Sequence, residues 1–225
     1  MGSVISDLLP LAIGVAISPV PIIAVILMLF GKRARSNGLA FMFGWIIALA
    51  LVGSVVLLLA DAGKISAGGA PSTLSYVLQL LLGLLFLFLA FRNWKKRPAP
   101  GEAPAMPPWM ATIDSFAAGK SFAMAALLAG LNPKNLGLAV AAALVIAEAG
   151  LTGADPWIAL AIFVLLASIT VAVPVLYYLI AGASAEKTLT GWKTWLIANN
   201  STVMIVLFLL LGAKLIGAGL GGLMG

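Results

Sequence analysis

The sequence predicts an all-α integral membrane protein with six transmembrane helices, arranged as two inverted three-helix repeats in which helices 1 and 4 are broken. Three observations support this fold class. Of the 225 residues, 63% are hydrophobic and 9% are charged, whereas an average soluble chain is about a quarter charged. The apolar runs last about 20 residues or more, enough for a helix to cross a hydrocarbon core of about 30 Å. Prolines interrupt two of these runs at similar positions.

Six apolar runs define the predicted spans, and the segments between them are basic, glycine-rich or proline-rich. The predicted spans cover about residues 8–30, 38–60, 74–94, 121–148, 156–182 and 200–220. We divide the chain into three parts. Residues 1–96 form a first three-helix repeat, residues 97–120 a cytoplasmic Pro/Ala linker with an interfacial helix, and residues 121–225 a second three-helix repeat.

Basic residues are concentrated in the loops after the first, third and fifth spans. They are Lys32, Arg33, Arg35, Arg92, Lys95, Lys96, Arg97, Lys120, Lys187 and Lys193. The positive-inside rule places these loops in the cytoplasm, so both termini are predicted to lie outside. We expect a multi-pass protein of the cell inner (plasma) membrane. With this topology the two three-helix halves run in opposite directions, which makes an inverted repeat.

Several classes of chemistry are missing from the sequence. It contains no Cys and no His, which excludes disulfides and thiolate or imidazole metal sites. Ionisable groups at the centre of a span usually mark an ion pathway. No Asp or Glu falls at the centre of a predicted span, so the sequence offers a cation little to bind. We therefore expect no catalytic residue, no metal, no cofactor and no enzyme activity. The net charge of +6 comes mainly from basic residues in the loops assigned to the cytoplasm, where they set the membrane topology. We therefore expect no nucleic-acid partner.

The first interruption is Ser18-Pro19-Val20-Pro21, in the middle of the first span. Each proline removes a backbone donor, and it disfavours the helical conformation of the residue before it. The carbonyl groups that lose their donors cannot remain unpaired in hydrocarbon, so this segment should line a cavity or another helix. A simple proline kink is the alternative interpretation.

The second interruption is LNPKN at residues 131–135, in the fourth span. Asn132 and Asn135 can satisfy the broken backbone groups, and Pro133 favours the first turn of the following helix. Lys134 then lies at a helix N-terminus, where free N–H groups and the positive end of the dipole attract an anion. We predict that Asn132, Lys134 and Asn135 bind an anionic head group, carboxylate or phosphate. Alternatively, Lys134 extends to the cytoplasmic surface.

The pattern of motifs resembles the GAP/Sap-like (glycolipid-addressing) family of the LysE exporter superfamily. It is carried by SPVP at 18–21, W-M-x-x-I-D-S-F at 109–116, G-K at 119–120 and G-L-N-P-K-N-L at 130–136. The resemblance implies a LysE-like six-helix fold and a role in moving lipids toward the cell surface. It also implies a substrate-binding site at the paired breaks, formed by Ser18, Pro19, Pro21, Asn132, Pro133, Lys134 and Asn135.

Three functions stay open at this point. The first is a transporter or flippase that exports a lipid or glycolipid with a polar, anionic head group by alternating access, because interrupted helices in inverted repeats are typical of transporters. The second is a LysE-like exporter of a small amino acid or another solute. The third is a non-transporting accessory scaffold of a lipid-export system. The expected partners are membrane lipids or a glycolipid substrate, with a homodimer and a lipid-export machinery as further candidates.

Overall fold

The structure, a computed structural model, describes residues 1–62, 66–67, 70–71, 73–98 and 108–224. Within these residues the chain forms eight α-helices. They are α1 (Gly2–Ala16), α2 (Pro19–Leu29), α3 (Ala34–Asp61), α4 (Thr73–Lys95), α5 (Ala118–Gly130), α6 (Pro133–Glu148), α7 (Asp155–Ala181) and α8 (Ala185–Met224). Two 3₁₀ segments, Pro108–Ser115 and Gly182–Ser184, precede α5 and α8. Between α3 and α4, two short antiparallel strands pair, β1 (Ser66–Ala67) and β2 (Ala70–Pro71).

Three helical segments are long and apolar enough to cross a membrane: α3, α4 and the 70-residue stretch Asp155–Met224. The pairs α1–α2 and α5–α6 meet the same requirement when each pair is taken together, which raises the number of candidate spans to five. Both pairs are bent at the predicted interruptions. The predicted helical membrane protein and its two broken helices are therefore confirmed, while the six-helix inverted repeat stays a prediction.

The stretch Asp155–Met224 contains two helices, because the chain turns at Gly182. The backbone φ of Gly182 is 57°, a left-handed value that glycine adopts without a steric penalty. The second helix, α8, has 40 residues, which gives a length of about 60 Å at 1.5 Å per residue. It therefore extends well beyond a hydrocarbon core. Its first turns, which we predicted as a polar loop ending near residue 200, are helical and carry Trp192 and Trp195.

The helices pack closely where small residues face each other. Along the contact between α4 and α8, a Cβ atom added to Gly83 would lie 3.0 Å from the carbonyl oxygen of Gly212. Such contacts between helix backbones are typical of membrane bundles. Large side chains fill the space between the other helices, and Phe41, Trp45 and Phe163 are fully buried there.

The segment before α5 packs against the protein. We predicted an interfacial helix here, and the chain forms the 3₁₀ segment Pro108–Ser115. Met110, Ile113 and Phe116 are buried, and the Asn37 side chain donates a hydrogen bond of 2.8 Å to the Phe116 carbonyl oxygen. These contacts attach the segment to α2 and to the start of α3. Residues 99–107 of the predicted Pro/Ala linker lie outside the described residues.

Candidate functional site

Two helix breaks meet in the interior of the bundle. The axes of α1 and α2 differ by 53°, and those of α5 and α6 differ by 63°. In each pair the second half begins with an extended residue, Ser18 or Asn132, followed by a proline at the first helical position. The Asn132 side chain accepts a 3.0 Å hydrogen bond from the Lys134 backbone N–H, as an N-cap residue does. The predicted N-terminus of the second half-helix is therefore present.

The carboxyl end of α1 loses its usual backbone donors at this break. A helix carbonyl normally accepts a hydrogen bond from the backbone N–H four residues later. For Val15 and Ile17 those residues are Pro19 and Pro21, which have no N–H. Side chains replace the missing donors. The Ser18 hydroxyl donates to the Val15 carbonyl oxygen at 2.7 Å, and Lys134 Nζ donates to the Ile17 carbonyl oxygen at 3.0 Å.

The neighbouring carbonyl groups are also paired. The Gly14 carbonyl oxygen accepts a 2.7 Å hydrogen bond from Lys134 Nζ. The Ala16 carbonyl oxygen accepts hydrogen bonds from the Thr170 hydroxyl and from the Ser18 backbone N–H. All four carbonyl groups at this helix end are thus satisfied, as buried backbone groups require. Two of the donor residues belong to α6 and α7, so the break connects three helices.

Lys134 makes the strongest connection between the two breaks. Its side chain is 4% exposed, and its ammonium group lies against the negative end of the α1 dipole. The sequence predicts a positive charge at the N-terminus of α6, which is unfavourable unless a negative group shares the site. In this conformation the carbonyl groups of α1 supply that negative group. An anionic head group at Lys134 stays a prediction, because two of the three ammonium protons are already donated.

A second connection runs parallel to the first. Ser18 Oγ lies 3.0 Å from Asn135 Oδ1, so its single proton is shared between this oxygen and the Val15 carbonyl oxygen, and Asn135 Nδ2 donates a 2.8 Å hydrogen bond to the Leu128 carbonyl oxygen in α5. The hydroxyl group and the carbonyl group together fix the orientation of the amide. Ser18 and Asn135 are both buried. Ser18 and Asn135 therefore connect the two breaks, while the Asn135 amide also holds the carboxyl end of α5.

A cavity of about 290 Å³ lies beside this junction. Its lining includes every residue that we predicted as substrate-binding: Ser18, Pro19, Pro21, Asn132, Pro133, Lys134 and Asn135. The structure thus brings the seven residues together, although the two motifs are more than 110 positions apart in the chain. That a substrate binds there stays a prediction.

Residues from α4 and α8 complete the lining, and they were not predicted from the sequence as part of the site. They are Leu89, Arg92, Asn93, Asn200, Met204 and Phe208. Among the residues that line the cavity, Arg92 and Lys134 are charged and none is acidic. From the sequence, Arg92 is assigned to a basic loop that sets the membrane topology, and Asn200 to the start of the sixth span. Both are polar residues within the terminal turn of an apolar span, and this position is the signal that could have suggested them.

An apolar groove lies next to the first break. It has a volume of about 300 Å³ and is formed by α2, α7 and α8. Seven of its lining residues are apolar: Ile22, Ile169, Val173, Pro174, Trp192, Trp195 and Leu196. The eighth is Thr170, whose hydroxyl donates to the Ala16 carbonyl oxygen. The groove therefore offers little for a polar molecule to bind.

Polar contacts also occur at the other end of the bundle. Lys214 of α8 lies 3.7 Å from a carboxylate oxygen of Asp7, which brings the start of α1 and the second half of α8 together. Gln79 of α4 donates to the carboxylate of Glu148 at the end of α6. In the described part of the chain, no group of three or more His, Cys, Asp or Glu side chains is arranged to hold a metal ion.

Comparison with known proteins identifies the family. Searches of curated proteins and of solved structures found no significant match. A family model described as "Sap, sulfolipid-1-addressing protein" matches residues 8–221, a range that includes all eight α-helices in whole or in large part. It also includes both helix breaks and every residue of the cavity. The chain belongs to the Sap, sulfolipid-1-addressing protein family.

Proposed function

We propose that this protein moves a lipid with a polar, anionic head group across the membrane, and that the head group occupies the cavity between the two helix breaks. The observation that carries the proposal is the lining of that cavity. It combines two cations, four asparagines, one serine and no acid inside an otherwise apolar helical protein. The family name, which refers to a sulfolipid, supports a lipid substrate over a small solute.

The chemistry of the lining matches such a head group. Arg92 presents a planar set of donors that suits sulfate, phosphate or carboxylate oxygens. The amide groups of Asn93, Asn132 and Asn200 both donate and accept hydrogen bonds, as the hydroxyl groups of a sugar or glycerol do. An anion is favoured because the lining has no acidic side chain to repel it.

Binding can drive a conformational change through Lys134. Its ammonium group now bridges α6 to the carbonyl oxygens of Gly14 and Ile17. An anionic head group in the cavity competes with these neutral carbonyls for the same protons. Transfer of the ammonium to the anion would release the end of α1 from α6. A substrate that interacts differently with the two arrangements is what a population shift requires.

Several helix contacts fit an inverted repeat, in which α1, α2, α3 and α4 correspond to α5, α6, α7 and α8, while the contact of α1 with α6 has no counterpart of similar extent between α5 and α2. The contact of α1 with α7 has its counterpart in that of α5 with α3. The contact of α3 with α6 corresponds to that of α7 with α2, and the contact of α2 with α8 to that of α6 with α4. The α4–α8 and α3–α7 pairs each join corresponding helices. With α7 and α8 as separate spans, the chain has six, and alternating access follows from exchange between the halves.

The test is a lipid-movement assay in vesicles that contain the full chain. The probes are a fluorescent sulfated galactosylceramide and its unsulfated counterpart with the same chains. A membrane-impermeant reductant destroys the fluorophore in the outer leaflet, so continued loss reports movement from the inner leaflet. We expect the protein to accelerate loss of the sulfated probe strongly and loss of the neutral probe weakly.

Other results would refute the proposal. Uptake of a labelled amino acid without movement of either lipid would indicate an exporter of small solutes. No movement of lipid or solute by a correctly folded protein would indicate an accessory scaffold. Equal acceleration of both lipids would refute the role of the anionic head group.

A further inference from the structure

The apolar groove and the polar cavity are two parts of one surface. On α8, Trp192 and Leu196 are followed at four-residue spacing by Asn200, Met204 and Phe208, so Leu196 and Asn200 are neighbours one turn apart on the helix surface. The first two line the groove and the last three line the cavity. The groove and the cavity therefore adjoin between Leu196 and Asn200, and a molecule that crosses this point contacts both.

Helix α2 shows the same division. Pro21 lines the cavity, while the next residue, Ile22, lines the groove. On α7, Thr170 lines the groove and donates to the Ala16 carbonyl oxygen at the end of α1. The groove therefore begins at the same break that forms one wall of the cavity.

The groove is open to the surroundings of the protein, and its interior is apolar. Val173 and Trp195 at its edge are 42% and 58% exposed, whereas Ile22 at its base is 7% exposed. The single hydroxyl in the lining, that of Thr170, is directed to a backbone acceptor. Pro174, inside α7, has no N–H and bends or widens a helix where it occurs. A flexible hydrocarbon chain suits such a groove, because the surface that the lining exposes is almost entirely apolar.

We propose that the groove holds an acyl chain of the same lipid molecule whose head group occupies the cavity. This inference rests on the proposed function. Bulk lipid is already as apolar as the groove, so burial from water supplies no driving force there. The contribution of the groove is therefore selection. A lipid anchored by its head group has its chain held beside α2, α7 and α8, whereas an unanchored lipid exchanges freely with the bilayer.

The experiment is photolabelling of the full chain in vesicles. The probe is sulfated galactosylceramide with a diazirine in its acyl chain, and the comparison probe is the unsulfated lipid with the same chain. Labelled peptides are identified by mass spectrometry. We expect the sulfated probe to label residues 169–174 and 192–196 about tenfold more than the neutral probe does, a preference equal to 1.4 kcal/mol. Equal labelling by both probes would mean ordinary membrane lipid in the groove and would overturn the inference.

A variant that fills the groove gives an independent readout. Val173→Trp places a large side chain in the groove, and Leu165→Trp, on the same helix but outside the lining, is the matched control. We expect Val173→Trp to abolish labelling of the groove while Leu165→Trp leaves it unchanged. Undiminished labelling in a folded Val173→Trp protein would overturn the inference. The ratio between the two probes in the unaltered chain remains decisive if the variant does not fold.

Failure of the inference and failure of the proposed function are distinguishable. A short-chain sulfated galactoside, too short to reach the groove, reports head-group binding through the shift in Tm of the purified protein. If it raises Tm and the groove is labelled equally by both probes, the head-group site stands and the acyl-chain site does not. If it leaves Tm unchanged and neither lipid moves in vesicles, the proposed function fails, and the inference fails with it.

Discussion

Replacement of Lys134 by methionine tests the connection between the two breaks. Methionine keeps an unbranched side chain of similar length and removes all three ammonium donors. The carbonyl oxygens of Gly14 and Ile17 then lose the hydrogen bonds of 2.7 and 3.0 Å that they now accept. The prolines of the first break supply no backbone N–H in compensation. The Gly14 carbonyl would be left without a partner in a buried position, and the Ile17 carbonyl in a partly buried one.

The expected cost follows from these contacts. A buried acceptor left without a partner costs about 1–3 kcal/mol, which gives about 2–6 kcal/mol for the two carbonyl groups. The variant also no longer buries an ammonium group, whose desolvation opposes folding by several kcal/mol. Relaxation of the α1 terminus offsets a further part of the free energy that the two unpaired carbonyl groups cost. We expect Lys134→Met to lower the free energy of unfolding by about 2–4 kcal/mol.

The measurement is equilibrium unfolding in mixed detergent micelles, followed by circular dichroism. Lys214→Met is the matched control, because it removes a lysine whose partner, Asp7, is 3.7 Å away in an exposed pair. Surface ion pairs of this kind contribute about 0–1 kcal/mol. The difference between the two variants therefore isolates the effect of burial and of the α1 carbonyl groups.

Two results would refute the reasoning. If Lys134→Met is as stable as Lys214→Met, the ammonium does not hold the end of α1 in the folded protein. If Lys134→Met is destabilised as expected but still moves the sulfated lipid at the normal rate when folded in vesicles, the ammonium is structural and takes no part in transport.

Three further predictions concern neighbouring contacts. Thr170→Val removes one neutral hydrogen bond to a carbonyl that keeps a second donor, so we expect a loss of about 1 kcal/mol in the same unfolding measurement. Gly44→Ala would place a Cβ 2.5 Å from the Phe122 carbonyl oxygen and should destabilise the α3–α5 contact by about 1–3 kcal/mol. Gly130→Ala should be tolerated, because the atoms nearest to its added Cβ would be 3.8 Å away. Arg92→Gln should slow movement of the sulfated lipid about tenfold at unchanged Tm, because a charge-assisted hydrogen bond contributes about 1.5–3 kcal/mol. An equal effect on the neutral lipid would contradict the role assigned to Arg92.

The helix breaks could be predicted from the sequence because their cause is local. A proline removes its own N–H whatever the surrounding fold, and an asparagine before it caps the helix that follows. Pro19, Pro133 and Asn132 therefore act as predicted. Apolar composition similarly predicts membrane helices, since the length of a span is set by the bilayer.

The partners of the freed carbonyls could not be predicted, because they come from distant parts of the chain. Lys134 and Thr170 follow α1 by 117 or more positions, and nothing in their local sequence indicates which helix end they contact. The start of α8 was predicted as a loop for a different reason. Its polar residues indicated an aqueous environment, but a helix that continues beyond the membrane satisfies its own backbone and accepts polar side chains.

The two breaks correspond in position but differ in charge, and this difference gives them different roles. With Pro19 aligned to Pro133, Val20 in α2 occupies the place that Lys134 has in α6. The carboxyl end of α1 is therefore held by a cation from α6, whereas α5 is held by the neutral amide of Asn135. A charged donor is the one that an anion can recruit, since charge-assisted hydrogen bonds are roughly twice as strong as neutral ones. In the proposed mechanism an anionic head group would therefore act on the α1 side of the junction, and α1 and α2 would move relative to α6 when it binds.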